Sequence, residues 1–312
     1  MATLEISHIT KYYSGHTALR DISFSIPAAS IYGLLGPNGA GKTSLMRILN
    51  RLTLPDDGFV LVDGKPLENK HTRKMGYLPE ERGLYRKMSV RAHINYFARL
   101  KGMSRNEAKT ASGEWMEKFG LTAWSHKRIE TLSKGMAQKV QFIITVIHRP
   151  EILIMDEPFS GFDPVNAQLI KKELFAMRDA GATILLSTHN MSSVESLCSH
   201  ITLLNKGENI ITGTTREVRE RYDTGLYEVE FKGNMIAFTN SLWTGFELVE
   251  REQLGNEHFV ARLRMLHNND VNAMLQVTME FVKIQRVQRL QTTMDEIFIS
   301  ATTEDAKKES HA

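Results

Sequence analysis

The sequence predicts an α/β domain built on a parallel sheet, followed by a small α+β domain. Three observations carry that prediction. The buried-strand segments EILIMDEP and ATILLST are separated by the amphipathic run NAQLIKKELFAMRDAG, the order of parallel strands joined by a helical crossover. A chain of 312 residues exceeds the size at which one hydrophobic core stops growing. After roughly Thr224, LYEVEF and HFVARLRM alternate in the manner of half-exposed antiparallel strands. The predicted domains are residues 1–223 and 224–312.

Taken in chain order, Ile22, Phe24 and Ile26 alternate with Ser23 and Ser25 before Pro27, which predicts a half-buried strand. IYGLLG predicts a buried one. Beyond GPNGAGKT, the stretch SLMRILNRLT has apolar residues at helical spacing, so the order is strand, glycine-rich loop, helix. DGFVLVDG predicts a short strand ending in a turn. From Val90 to Lys127 the composition is rich in Ala, Leu, Lys, Arg and Glu, which predicts a helical insert placed at about residues 90–140. In the second domain, Val271, Met274, Leu275 and Thr278 form a helical stripe behind a cap at Asp270. The polar end, TTEDAKKESHA, is expected to fray. No internal repeat or low-complexity tract is present.

Hydrophobic residues make up 42% and charged residues 24%, a composition able to bury a full core. The apolar run around Phe142 to Ile147 is far shorter than the roughly 18 residues that span a bilayer, and the N-terminus has no signal-peptide pattern. The expected location is therefore the cytoplasm. Cys198 is the single cysteine, so no internal disulfide or cysteine-based zinc site forms, and a buried structural thiol is expected. A net charge of +3 is too weak a bias to imply nucleic-acid binding, and none is expected. The charge suits an anionic ligand or a membrane surface.

Gly36, Pro37, Asn38, Gly39, Ala40, Gly41, Lys42 and Thr43 match the phosphate-loop pattern GxxxxGK[ST], followed by Ser44. Glycines allow successive backbone N–H groups to face phosphate oxygens, the helix start adds positive potential, and Lys42 reaches toward the β- and γ-phosphates. Thr43 is the candidate magnesium ligand. Four apolar residues, Ile152 to Met155, lead into Asp156 and Glu157, which places both carboxylates at the end of a central strand, where ligands sit in open α/β sheets. Asp156 is placed to reach magnesium, and Glu157 to orient or deprotonate an attacking water. The plain alternative for the pair is surface charge. These elements alone suit many nucleotide enzymes, from kinases to GTPases.

Leu132-Ser133-Lys134-Gly135-Met136, between Lys42 and Asp156, resembles the LSGGQ signature of ABC ATP-binding subunits, with Ser133 and Gly135 matching. The resemblance covers residues 1 to about 220. It implies an ABC nucleotide-binding domain, an α/β P-loop ATPase core with a helical insert, whose ATP is shared between two subunits. The signature of one subunit would bind the γ-phosphate held by the other. Lys134 and Met136 depart from the motif. Lys134 either adds positive charge near ATP or points to solvent, and Met136 reads as packing.

By the same resemblance, His189 in Ser187-Thr188-His189 is the switch histidine that contacts the γ-phosphate. Asp163 in Ser160-Gly161-Phe162-Asp163 is the acid of a loop that communicates across the dimer. Tyr13 takes the place of the adenine-stacking aromatic, with Tyr12 as competitor and a core tyrosine as the plain alternative. Glu80, in Gly76-Tyr77-Leu78-Pro79-Glu80, stands where the family has a glutamine that touches magnesium and contacts the transporter. Its carboxylate suits the metal, but without it would repel phosphate by about 4 kcal/mol at about 4 Å and an effective dielectric near 20.

LPEERGLYRKMSV, PFSGFDPVN and TTMDEIFI resemble a bacterial export-type branch with an accessory C-terminal domain, in which some relatives export sodium ions. The implied function is ATP hydrolysis coupled to transport, with ATP and Mg2+ as cofactors. The implied partners are a second nucleotide-binding subunit, a homodimer by expectation, and separate transmembrane permease subunits at the cytoplasmic membrane face. The alternative is a soluble ABC ATPase acting as a mechanical switch on nucleic acid or ribosomes. Such translation proteins carry two cassettes, and the DNA-repair type inserts long coiled coils, whereas this chain has one cassette with a short insert. A small-molecule kinase leaves Ser133, Asp163 and His189 without a role.

Overall fold

A computed structural model describes residues 3–310 apart from residues 82, 243, 244 and 267–269, with backbone only beyond residue 303. Arg82 of the export-like stretch and the terminal His311 and Ala312 therefore lie outside the described residues. Two compact units are present: Met1–Thr215 with Phe298–Ala312, and Arg216–Ile297.

The first unit contains two sheets. Strands β1 (Leu4–Tyr13), β2 (His16–Ile26), β4 (Asp57–Val62) and β5 (Lys65–Pro66) form an antiparallel sheet in the order β2-β1-β4-β5. Strands β3 (Ile31–Leu35), β6 (Met75–Leu78), β7 (Ile152–Asp156), β8 (Thr183–Ser187), β9 (His200–Asn205) and β10 (Glu208–Thr214) form the second, ordered β10-β9-β3-β8-β7-β6. It is parallel except for the antiparallel edge strand β10. β7 and β8 are buried at every position, which explains why they read as unbroken apolar runs.

Helices α1 (Lys42–Leu49), α2 (Val90–Leu100), α3 (Arg105–Lys118), α4 (Lys134–Val146), α5 (Pro164–Asp179) and α6 (Met191–Leu197) complete the cassette. Helices α2 and α3 lie within residues 90–140, and α4 starts there and runs on to Val146. A capping box between Ser104 and Glu107 starts α3, and the Ser89 hydroxyl accepts from Ala92 N to start α2. Helix α1 stops at Leu49 rather than running to Thr53. The Asn50 amide donates to Met46 O at 2.8 Å, and Arg51 turns to φ 55, so the last turn is closed by a side chain. The DGFVLVDG strand pairs with β1, outside the parallel sheet. Cys198 is buried, and burial pushes its thiol up to about 12, as suits a structural residue.

Past α7 (Thr215–Arg221), the second unit runs β11 (Leu226–Gly233), α8 (Met235–Ser241), β12 (Phe246–Gly255), β13 (His258–Met265), α9 (Val271–Thr278) and β14 (Val282–Arg289). This β-α-β-β-α-β order, with an antiparallel sheet ordered β12-β13-β11-β14, is a split β-α-β arrangement. Val229, Phe231, Phe238, Ala261, Leu263 and Met274 form its core, and Asp270 caps α9 as expected. The C-terminal helix α10 (Met294–Ser310) corrects the expectation of a frayed end. Thr293 and Glu296 cap each other's backbone N–H groups, which nucleates the helix.

Candidate functional site

β3, β8, β7 and β6 are adjacent and parallel, so the segments that follow them leave the same edge of the sheet. That edge carries the Gly36–Gly41 loop after β3, His189 after β8, Asp156 and Glu157 at the end of β7, and Glu80 after β6. It is the ligand-binding edge of an open α/β sheet.

Two glycines of the loop are obligatory. Gly36 has φ 148, and a Cβ there would stand 2.4 Å from the Leu204 carbonyl oxygen. Gly41 has φ 103, and its Cβ would stand 2.5 Å from the Ala18 carbonyl oxygen. The loop thus passes directly over backbone, with Asn38, Gly39 and Ala40 at its bend and Thr43 and Ser44 entering α1. Lys42 is buried, and its ammonium donates to Gly36 O at 2.8 Å and Pro37 O at 3.0 Å. Burial lowers its pKa from the usual lysine range, while Glu157, Asp156 and Glu80 oppose that shift. All three carboxylates thus act on the lysine of the loop.

Thr43 Oγ1 donates to Asp156 Oδ2 at 3.0 Å, across a chain separation of 113 residues. Asp156 accepts from Ser187 Oγ at 2.5 Å through its other oxygen. The same Ser187 hydroxyl accepts from Glu157 N at 3.1 Å, which fixes the backbone where the strand ends. Glu157 sits at φ 48, a left-handed conformation that turns its side chain out of the strand alternation. Its carboxylate accepts from His189 Nδ1 at 2.7 Å, while the histidine side chain stays largely exposed.

Glu80, Asp156, Glu157, Lys134 and Gln138 line one cavity of about 170 Å³. Gln141 of α4 donates to Pro79 O at 2.8 Å and to Glu81 O at 3.4 Å, holding the segment that carries Glu80. Ser187 and Gln141 hold the backbone and side chains of this edge and were not among the candidates read from the sequence. Ser187 stood inside a motif quoted for its histidine, and nothing in its spacing pointed to Asp156.

The other candidates stand apart from this cluster. Ser133 caps α4 by accepting from Met136 N at 3.3 Å, and Gly135 lies in the first turn, where a Cβ would meet open space. Asp163 caps α5 by accepting from Asn166 N at 2.9 Å, and these hydrogen bonds hold its carboxyl below the usual range. Tyr13 is exposed, with the Lys11 ammonium 5.6 Å from its ring centre, and Tyr12 is more exposed still, so neither is a core tyrosine. Among the described residues, Tyr13, Ser133, Gly135 and Asp163 make no hydrogen bond to Lys42, Asp156 or Glu157. No helix among the described residues is long and apolar enough to cross a membrane.

Comparison with known proteins agrees with this geometry. Residues 19–160 match the ABC transporter family model, and residues 213–302 match the C-terminal domain of DrrA1-3-like ATP-binding proteins. The chain is 44% identical to the uncharacterized ABC transporter ATP-binding protein YhaQ of Bacillus subtilis, over 70% of this chain and 74% of that one. It is 34% identical to the linearmycin resistance ATP-binding protein LnrL of the same organism, over 70% and 71% of the two chains. It is also 34% identical to the Nod factor export ATP-binding protein I of Mesorhizobium japonicum, over 67% and 63%. Among solved structures, the ATP binding subunit of an ABC transporter superposes with a TM-score of 0.66 at 28% identity, covering 70% of this chain and 92% of that one. The phosphate loop, the carboxylates at the end of β7 and these likenesses agree: the chain belongs to the ABC transporter ATP-binding proteins, a family of ATPases.

Proposed function

We propose that this chain is the ATP-hydrolysing subunit of an export-type transporter, working as a pair of copies on separate transmembrane permease subunits at the cytoplasmic membrane face. The observation that carries the reading is the continuous chain of contacts from the loop helix to the base: Thr43 to Asp156, Asp156 to Ser187, Ser187 to Glu157, and Glu157 to His189. Export is supported by the resistance and export proteins among the relatives. No cargo is carried over from them.

In this reading the Gly36–Ser44 loop and Lys42 hold the phosphates of ATP, with the ammonium exchanging loop carbonyls for phosphate oxygens. Glu157 accepts the proton of the attacking water as its oxygen bonds to the γ-phosphorus, and the bond to the ADP oxygen breaks. His189 keeps the Glu157 carboxylate in place and faces the γ-phosphate. Ser133 and Gly135 reach the ATP of the second copy from the start of α4, Asp163 answers across the dimer, and Tyr13 stacks on adenine. The donors fit magnesium, since Thr43, Asp156 and Glu80 offer only hard oxygen ligands. Bound there, the metal would neutralise phosphate charge. The cassette is taken as residues 1–223 and the accessory domain as 224–312.

The test is Glu157→Gln in the full chain. Turnover is expected to fall roughly 100- to 10,000-fold, the usual worth of a general base, while ATP binding persists because the loop and Asp156 are intact. Gel filtration with magnesium and ATP should then show a stable pair. Unchanged turnover would remove Glu157 from the base role.

A further inference from the structure

Helix α4 carries a polar stripe whose upper end has no role in the reading above. Lys134, Gln138, Gln141 and Thr145 recur at the spacing that puts side chains on one helix face. Three of them donate to backbone carbonyls of β6 or of the segments after β6 and β7. Thr145 Oγ1 reaches Tyr77 O at 3.4 Å, Gln141 Nε2 reaches Pro79 O at 2.8 Å, and Gln138 Nε2 reaches the Ser160 carbonyl. Lys134 lies over the next residue. A Cβ built on Gly161, which sits at φ +78, would stand 3.0 Å from Lys134 Cε and 3.3 Å from its Nζ. The turn so covered is tied to the base, because Ser160 N donates to Glu157 O at 3.1 Å. Lys134 also lines the cavity of Glu80, Asp156 and Glu157, and among the described residues it is the one cationic side chain that does.

We propose that Lys134 is a positioning residue for hydrolysis: with Gln138 it clamps the Ser160–Gly161 turn to the first turn of α4, holding Glu157 at the end of β7. The inference rests on the reading of Glu157 as the base. An ammonium suits the task because its rotatable donors and charge can address several carboxylates of one wall at once, which a neutral chain of equal length cannot. Gly161 suits it too, since any side chain there would be strained at its φ and would push Lys134 away. Lys134 is exposed at the start of α4, with the end of its side chain lying beside the Gly161 turn.

Steady-state hydrolysis by full-length Lys134→Met, Lys134→Arg and Glu157→Gln proteins tests this. Loss of an interaction that matters in the transition state is expected to lower kcat of Lys134→Met about tenfold, with KM for ATP within about twofold and an unchanged melting temperature. Lys134→Arg should recover most of the loss, which a purely packing role would not produce. Adding Gln138→Ala to Lys134→Met should cost less than the two separate losses combined, since both hold one turn. A wild-type kcat in Lys134→Met, an arginine variant no better than methionine, or fully additive losses would overturn the clamp. A raised KM with intact kcat would overturn it as well, assigning Lys134 to nucleotide held by the second copy. Unimpaired Glu157→Gln would instead sink the base reading itself.

Discussion

His93 is fully buried on α2, and among the described residues neither ring nitrogen meets a hydrogen-bonding partner. Its ring packs against Phe97 at 4.8 Å and Tyr85 at 5.6 Å between centroids, and burial pushes its pKa down to about 4. The unfolded chain binds a proton there below pH 6.5 that the folded chain refuses until pH 4. Stability therefore falls as pH drops through that window, by at most about 3 kcal/mol for this residue. His148, pushed to about 4 by burial and by Lys101, adds a second contribution of the same sign. Thermal melting from pH 7 to pH 4 should show the loss, and His93→Leu should flatten it while leaving the His148 part. Equal slopes for both proteins would mean that the ring finds a partner or water.

At the scale of elements, the accessory sheet shows how a two-layer unit keeps its open face in water. Its inner positions, such as Val229, Phe231, Ala261 and Leu263, meet α8 and α9 within one core. The outer positions form columns of alternating charge across β12, β13, β11 and β14. Glu247 pairs with Arg264 and Glu250 with Arg262, each at 2.6 Å, and Glu228 receives Arg286 at 2.8 Å and Arg262 at 3.6 Å. Exposed pairs are worth little singly, but Glu228 is mostly buried and joins two arginines. Glu228→Gln should destabilise the unit by about 1 kcal/mol in low salt and by much less in 1 M salt, where the Debye length is about 3 Å. Melting at the two salt levels checks this. A loss that ignores salt would point to packing.

For the whole molecule, the accessory domain is the part to which the ATP chemistry gives no role. It has no phosphate loop, and among the described residues no cluster of three or more metal-ligating side chains. A domain of this kind attached to each copy could keep a pair together between ATP cycles by raising effective concentration. A chain ending at Arg221 tests the idea, although it also removes Phe298–Ala312, which belongs to the first compact unit. A second protein that deletes only residues 225–289 controls for that loss. Both are expected to show ATPase activity that falls on dilution and recovers at high concentration. Concentration-independent, wild-type pairing of the internal deletion would exclude the pairing role.

The sequence by itself determined the α/β class, the buried strands and the phosphate loop. These depend on local regularities: unbroken apolar runs for strands covered on both faces, and glycines where backbone must pass backbone. It also marked Asp156 and Glu157, because a strand end is visible as the point where apolar residues give way to charge. Only the tertiary structure decided what those carboxylates touch. Thr43 and Asp156 are 113 residues apart, and Ser187 and Asp156 are 31 apart, so no periodicity or spacing links them. The parallel order β3-β8-β7-β6 joins them, since it sends loops from distant parts of the chain to one edge. The same holds for Lys134, which reads in the sequence as a departure from a motif. In the fold its side chain lies beside the Gly161 turn and lines the cavity of Glu80, Asp156 and Glu157, because α4 turns one polar face toward the segments that follow β6 and β7.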